Sequence, residues 1–436
     1  MPTTLTLRRS PYTGPTGRSG ALNIAFTIPS IILAIAALPI STIRYLFTRP
    51  KGFSLKIFLI FRLLRFLNLL VPILPPPEKR KALWEGPKTA GTLPEVKIET
   101  VKVAPAPEAW RVGYAAGPNV VKAIEMPGYI ITPAGIASGP ARDGEKIIMY
   151  IHGGAYVRGH PLWTAFPHRL AAETGRRVYG VQYRKTLDDA TAFPGPLLDA
   201  LAAWAYVTKE MGFRASQIIL SGDSAGAHLS LMLVRQLQAL GEALPGGLAF
   251  ASPWVDFTCS FPCWNKHTLD YITITKLRKC IDSATRHYAD EVKQGAFFSP
   301  VNAEAGHWRF LINTPVFVSY GGLEVFMDED EALVAAMRED GVHVTVWKDE
   351  YGVHDTPIFD CVIPTKSKAF THFKDGVLDL LRIEAADAEV VPASPKTSES
   401  SSVLVEAEAN REGEVDDHDD DHTEVGFDVD VEDKEA

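Results

Sequence analysis

A serine between small residues, a glycine-rich loop before it and a histidine well after it stand at spacings suited to nucleophilic acyl transfer. The serine belongs to Gly222-Asp223-Ser224-Ala225-Gly226, which interrupts the apolar run Ile218-Ile219-Leu220 and precedes helix-spaced Leu229, Leu233, Val234 and Leu237. A serine hydroxyl attacks a carbonyl only if it is exposed, rigidly held and served by a base. A sharp strand-to-helix turn provides the first two, and small residues at 222 and 226 let strand and helix crowd around Ser224. Gly-x-Ser-x-Gly alone arises in ordinary loops. A strand before it and a helix after it make it a nucleophile elbow.

The run Ile147-Ile148-Met149-Tyr150-Ile151 reads as a buried strand and leads into His152-Gly153-Gly154-Ala155-Tyr156, with His152 lying 72 residues before Ser224. Acyl transfer builds negative charge on the carbonyl oxygen, and pre-aimed backbone N–H groups stabilise it. The loop offers the amides of Gly153, Gly154 and Ala155, and the turn offers that of Ala225. His152 is expected to shape the loop rather than transfer a proton. Acid and base should follow the serine in that order. Residues 314–320 read as a strand ending at Gly321-Gly322-Leu323-Glu324, and residues 342–347 as a strand followed by Tyr351-Gly352-Val353-His354-Asp355. His354 is the expected base, and Glu324 the carboxylate that fixes its tautomer. Asp328 is the rival acid, one helical turn further on, while His343, within a strand pattern, is expected to be structural.

These motifs, with Tyr183-Arg184, Phe193-Pro194 and Ser252-Pro253-Trp254-Val255-Asp256, resemble the hormone-sensitive-lipase-like branch of the α/β-hydrolases from about residue 110 to 380. Membrane-anchored arylacetamide deacetylases and fungal steryl acetyl esterases are similar. The resemblance implies an α/β-hydrolase fold, a mostly parallel central sheet with helices on both faces plus a helical cap. It also implies Ser224 as nucleophile, Glu324 as acid, His354 as base and Gly153, Gly154, Ala155 and Ala225 as oxyanion donors, with no metal or organic cofactor. Two positions depart from the family pattern. Ala155 stands where a third glycine is usual, adding a methyl group beside the reacting centre, and Glu324 stands where Asp is usual, one methylene longer. The substrate implied is a lipophilic ester, short-to-medium acyl or acetyl, acetylated sterols included. Because this fold also serves as a small-molecule receptor when the base is lost, a non-catalytic binding protein is the alternative.

Strands near 147–151, 178–183, 217–221, 247–251, 315–320 and 342–347 must position these groups, with 256–298 a helical insertion in the cap. The chain of 436 residues is 46% hydrophobic, enough for one large core, yet its ends differ from its middle. Residues 21–43 carry no charge and can span about 30 Å of bilayer at 1.5 Å per residue. Ala34-Ile35-Ala36 matches a signal-peptidase site, but the apolar run continues past it, so an uncleaved anchor is expected. Residues 53–74 interleave Lys56, Arg62 and Arg65 with Leu, Ile and Phe, which suits either a helix at headgroup level or one packed on the hydrolase as part of its cap. Removal of residues 1–74 is expected to spare turnover of short, water-soluble esters. Pro72, Pro75, Pro76 and Pro77 open a linker. The expected organisation is therefore a membrane segment at 1–77, a linker at 78–110, a catalytic domain at 111–383 and a disordered acidic tail at 384–436.

That tail holds 19 acidic and 3 basic residues, a net −16, so residues 1–383 carry +7 of the overall −9. A basic body agrees with membrane lipid contacted through residues 21–74, whereas no basic and aromatic stripe suggests nucleic acid. The Asp/His run 416–422 lacks a scaffold and Cys259-x-x-x-Cys263 lacks a second pair, so no metal site is expected. A disulfide among Cys259, Cys263, Cys280 and Cys361 is neither required nor excluded. Basic residues after the apolar run favour a cytosolic catalytic domain, but the similar membrane enzymes imply the lumen of the endoplasmic reticulum. The endoplasmic reticulum membrane is expected, its side open, and oligomeric state is not legible.

Overall fold

Strands that are buried along their whole length need cover on both faces, and the central strands here are of that kind. The computed structural model describes residues 20–48, 55–70, 96–266, 269–363 and 365–383. The strands are β1 (Val96–Val103), β2 (Met126–Pro133), β3 (Ile147–Ile151), β4 (Val178–Val181), β5 (Ile218–Asp223), β6 (Gly247–Ala251), β7 (Val316–Gly321) and β8 (Val344–Asp349). They form one eight-stranded sheet in the order β1-β2-β4-β3-β5-β6-β7-β8. β2 runs antiparallel to β1 and β4, and β3 to β8 are mutually parallel. Each expected strand is present, within two residues at either end.

The period of two sorts the core. Ile147, Met149 and Ile151 of β3, with Ile218 and Leu220 of β5, join the larger apolar cluster. Ile148, Tyr150 and Ile219 join the smaller one on the opposite face. In chain order the helices are α1 (Gly20–Ala36), α2 (Leu38–Thr48), α3 (Leu55–Leu70), α4 (Phe166–Thr174), α5 (Gly195–Ala205), α6 (Ala225–Leu240), α7 (Cys263–Lys266), α8 (Ile274–Ala284), α9 (Met327–Glu339), α10 (Thr356–Asp360) and α11 (Ala369–Arg382). α5, α6 and α9 cover the first face, while α4 and α11 cover the second. Burying a Leu, Ile or Phe stabilises by about 1.5–3 kcal/mol, so Leu220→Ala, which also leaves a cavity, costs about 2–5 kcal/mol.

The segment 256–298 is only partly helical, with α7, α8 and a short 3-10 turn at Asp290–Gln294 joined by loops. Residues 28–48 are helical, long and apolar enough to cross a membrane, with Ile32, Leu33, Ile40 and Phe47 exposed. α3 packs on the body that carries the sheet: Phe58 and Phe61 are buried in a cluster with Tyr45 and Val353. The prolines at 72 and 75–77, residues 78–95 of the expected linker and the acidic tail lie outside the described residues. Residues 96–110 are not linker: they form edge strand β1, paired with β2, and a short turn that buries Trp110, so the folded domain begins earlier than residue 111. All four cysteines are free thiols.

Candidate active site

Ser224 sits between the end of β5 and the start of α6, with φ +51° and ψ −122°. A side chain held there stores about 1–3 kcal/mol of backbone strain. The flanking glycines show how the turn is over-determined. A Cβ on Gly222 would lie 2.6 Å from the Gly226 carbonyl carbon, and one on Gly226 would lie 2.0 Å from the Ile151 oxygen. Neither position accepts alanine without backbone movement, so the pentapeptide is dictated by close packing of β5, α6 and the end of β3.

The parallel strands bring the acid and base to the same end of the sheet. His354 Nε2 lies 2.9 Å from Ser224 Oγ, and His354 Nδ1 lies 2.7 Å from Glu324 Oε1. Nδ1–H donates to the carboxylate, leaving Nε2 to accept from the serine hydroxyl. Glu324 is fully buried, and its Oε2 accepts from Ser252 Oγ at 2.8 Å and the Gly321 amide at 2.9 Å. Ser252 Oγ also accepts the Asp355 amide at 3.0 Å. The serine of Ser-Pro-Trp-Val-Asp therefore links the acid-bearing loop to the base-bearing loop. Asp328, the rival acid, instead accepts the Cys263 amide at 3.0 Å and anchors the cap. His343 is exposed and lies just before β8.

Burial pushes the His354 imidazole down, but the charges of Asp355, Glu324 and Asp270 outweigh it and raise its pKa to about 9. Asp355 Oδ2 stands 3.2 Å from Nε2, on the side where the serine approaches. Asp270, fully buried, is itself raised by burial to about 6. Sequence reasoning missed both carboxylates. Asp355 follows His354 directly and carried a signal, whereas nothing near residue 270 marks it.

The oxyanion loop lies directly against the elbow. The Gly153 amide bonds the Asp223 carboxylate, which Tyr150 also contacts at 2.5 Å. Gly153 thus faces the elbow, and among the expected donors Gly154, Ala155 and Ala225 are the ones this contact leaves open, the last at the N-terminus of α6. Gly154, Ala155 and Tyr156 have φ of +113°, +51° and +62°. A left-handed backbone costs a non-glycine residue about 1–2 kcal/mol, so outside contacts must hold this loop. His152 Nδ1 donates to the Gly153 carbonyl at 2.7 Å, and its Nε2 accepts from Lys185 Nζ at 3.1 Å. The Tyr183 hydroxyl donates to the His152 carbonyl at 2.8 Å. Burial pushes both Lys185 and His152 well below their ordinary values, so the pair need not carry two charges. Lys185 is fully buried. In sequence it passes for a surface charge beside Arg184, whose own guanidinium forms a buried bidentate pair with Asp199 at 2.6 and 2.9 Å.

The family described as alpha/beta hydrolase fold matches residues 148–357. An acetyl-hydrolase of Streptomyces hygroscopicus is 30% identical over 223 residues, covering 49% of this chain and 70% of that protein. An esterase of Acinetobacter venetianus is 35% identical over 115 residues, covering 26% of this chain and 37% of its own length, so the chain spans well under half of that relative. The crystal structure of a thermostable esterase from Pseudomonas putida superposes with a TM-score of 0.59 at 17% identity, covering 77% of this chain and all of that one, a likeness of fold. The chain belongs to the alpha/beta hydrolase family, in its hormone-sensitive-lipase-like carboxylesterase branch, and is a carboxylic-ester hydrolase.

Proposed function

We propose that this protein is a membrane-associated serine hydrolase of lipophilic esters with short-to-medium or acetyl acyl groups, acting through an acyl-enzyme. The observation that carries the proposal is the continuous hydrogen-bonded line from Ser224 Oγ through His354 to Glu324, at 2.9 and 2.7 Å. His354 Nε2 takes the hydroxyl proton as Ser224 Oγ bonds the ester carbonyl carbon. The carbonyl oxygen becomes an oxyanion facing the amides of Gly154, Ala155 and Ala225, each such donor contributing about 3 kcal/mol to the transition state. The intermediate collapses as His354 returns the proton to the departing alcohol. Water, deprotonated by the same imidazole, then releases the carboxylic acid and restores Ser224. Glu324 stabilises the imidazolium in both halves. No step calls for a metal or organic cofactor.

The acyl half is supported by the name of the Streptomyces relative, an acetyl-hydrolase. The lipophilic half is supported by the exposed apolar side chains of residues 28–48 and by α3 seated beside the triad. An ester dissolved in a bilayer, acetylated sterols among them, then reaches the site without crossing bulk water. An endoplasmic reticulum membrane is the compartment this reading favours. The test is Ser224→Ala in the full-length protein: p-nitrophenyl acetate turnover should fall by at least about 10⁴-fold, and unchanged turnover would falsify the assignment.

A further inference from the structure

α3 is joined to the catalytic loops by two independent sets of contacts. The first set is polar. Arg65 Nη1 donates to the carbonyls of Asp270 and Ile272 at 2.7 and 2.9 Å, and Asn68 Nδ2 donates to the Tyr271 carbonyl at 2.9 Å. Three consecutive carbonyls of the cap segment 270–272 are thus satisfied by one helix more than 200 residues away in sequence. The Asp270 side chain points the other way. Its Oδ2 accepts the Val325 amide at 2.9 Å and the His354 amide at 3.3 Å, and its Oδ1 accepts the Ile272 amide at 3.1 Å. Val325 follows the acid Glu324 in the chain, so one buried carboxylate ties the acid-bearing loop to the base itself. The second set is apolar. Phe58 and Phe61 share a cluster with Leu323 and Val353, the residues immediately before Glu324 and His354. Tyr271 stacks on Phe61 with centroids 6.0 Å apart, and its ring lies 5.8 Å from that of His354.

We infer that Asp270 is a positioning residue for the Glu324–His354 pair, and that α3, through Arg65 and Asn68, holds it in place. The inference rests on the triad reading above. A hydrogen-bonded line closes only within a few tenths of an ångström, and a displacement of about 1 Å can cost on the order of 10²-fold in rate. The N-terminal segment therefore contributes to the rate on every substrate, including esters that never enter a membrane. On this inference residues 1–74 also serve turnover of short soluble esters, contrary to the sequence-based expectation that they are dispensable for it. α3 lies a few residues beyond the apolar helices of residues 20–48, so the geometry of the triad depends on a segment adjoining the membrane-seeking part of the chain.

The experiment uses full-length protein in detergent micelles, with p-nitrophenyl acetate as substrate and active sites counted by a fluorophosphonate probe. Counting excludes unfolded molecules. Labelling of the wild type but not of Ser224→Ala establishes the triad reading; failure there overturns that reading and this inference together. With labelling in place, Arg65→Leu/Asn68→Leu should lower kcat per titrated site about tenfold with KM within about twofold. Asp270→Asn should lower it further. All three substitutions combined should be no worse than Asp270→Asn alone, because they act through one contact chain. Arg65→Lys, which keeps the charge and one donor, should restore part of the loss. An unchanged kcat in Arg65→Leu/Asn68→Leu, or losses that multiply in the combined variant, would overturn the inference while leaving the triad reading intact.

Discussion

Ser252 and Asp270 each tie the acid-bearing loop to the base-bearing loop, from different parts of the fold. Ser252 Oγ joins Glu324 to the Asp355 amide, and Asp270 joins the Val325 amide to that of His354. Ser252 directly follows β6, and its amide is fixed to Ser319 of β7 at 2.7 Å, so the sheet holds it. Asp270 belongs to the cap, and its backbone carbonyl is held by a side chain of α3. A sheet buried on both faces keeps its strand ends in register at little risk from one substitution. The cap support depends on a few side-chain donors. The difference teaches that the chemistry is assembled by the core, while its fine alignment is shared with a peripheral helix.

That contrast is open to direct attack. The largest effect belongs to the sheet-borne acid: Glu324→Gln should lower kcat by about 10⁴-fold with KM little changed, because the amide fails to hold the Nδ1–H tautomer against a forming imidazolium. Steady-state kinetics on p-nitrophenyl acetate reads it, and a loss below tenfold would hand the acid role elsewhere. Next comes the loop support: Lys185→Met removes the donor to His152 Nε2 and should lower kcat by about 10- to 100-fold. Burst-normalised rates check this, and His152→Ala should add little on top. Ser252→Ala should cost about tenfold and combine multiplicatively with Arg65→Leu/Asn68→Leu, since the two supports are separate.

The pH dependence is a smaller and sharper test. The base works only when neutral, and its pKa is raised to about 9 by Asp355, Glu324 and Asp270 against the opposing effect of burial. Because a raised pKa keeps the protonated, inactive form dominant to higher pH, kcat/KM should climb with pH between about 6.5 and 9. Burial pushes the Asp355 carboxyl itself well above the usual carboxylate range, and Asp355→Asn, which takes away its contribution to His354, should shift that limb to lower pH. A limb already complete at pH 6 in the wild type would contradict the electrostatics described here. The smallest effect is Ala155→Gly, which relieves a left-handed alanine and should leave kcat within about threefold while changing stability by less than about 1 kcal/mol in a thermal melt.

Legibility in the sequence followed the range of the interactions. The elbow, the oxyanion loop and all six expected strands could be read because glycine spacing and apolar runs are local consequences of the backbone each segment adopts. Glu324 could be preferred over Asp328 because chain distance past the end of β7 limits what reaches His354. The roles of Gly153, Gly154 and Ala155 could not be told apart in sequence, since three small residues in a row look alike until Asp223 approaches one of their amides. Lys185 and Asp270 gave no local sign, and the pattern around Arg65 suited a helix packed on the hydrolase as part of its cap without indicating its partner. A lysine beside an arginine reads as surface, and the Arg65 contact with the Asp270 carbonyl spans 205 residues.

The central claim is that Ser224, activated by His354 and Glu324, is the group that takes up the acyl chain. Treating the folded full-length protein with a fluorophosphonate and mapping the adduct by peptide mass spectrometry tests it most directly. One adduct per active chain on Ser224, absent after heat denaturation and absent in His354→Ala, is the predicted result. Ester turnover that persists with Ser224 unmodified, or with the adduct on another residue, would contradict it.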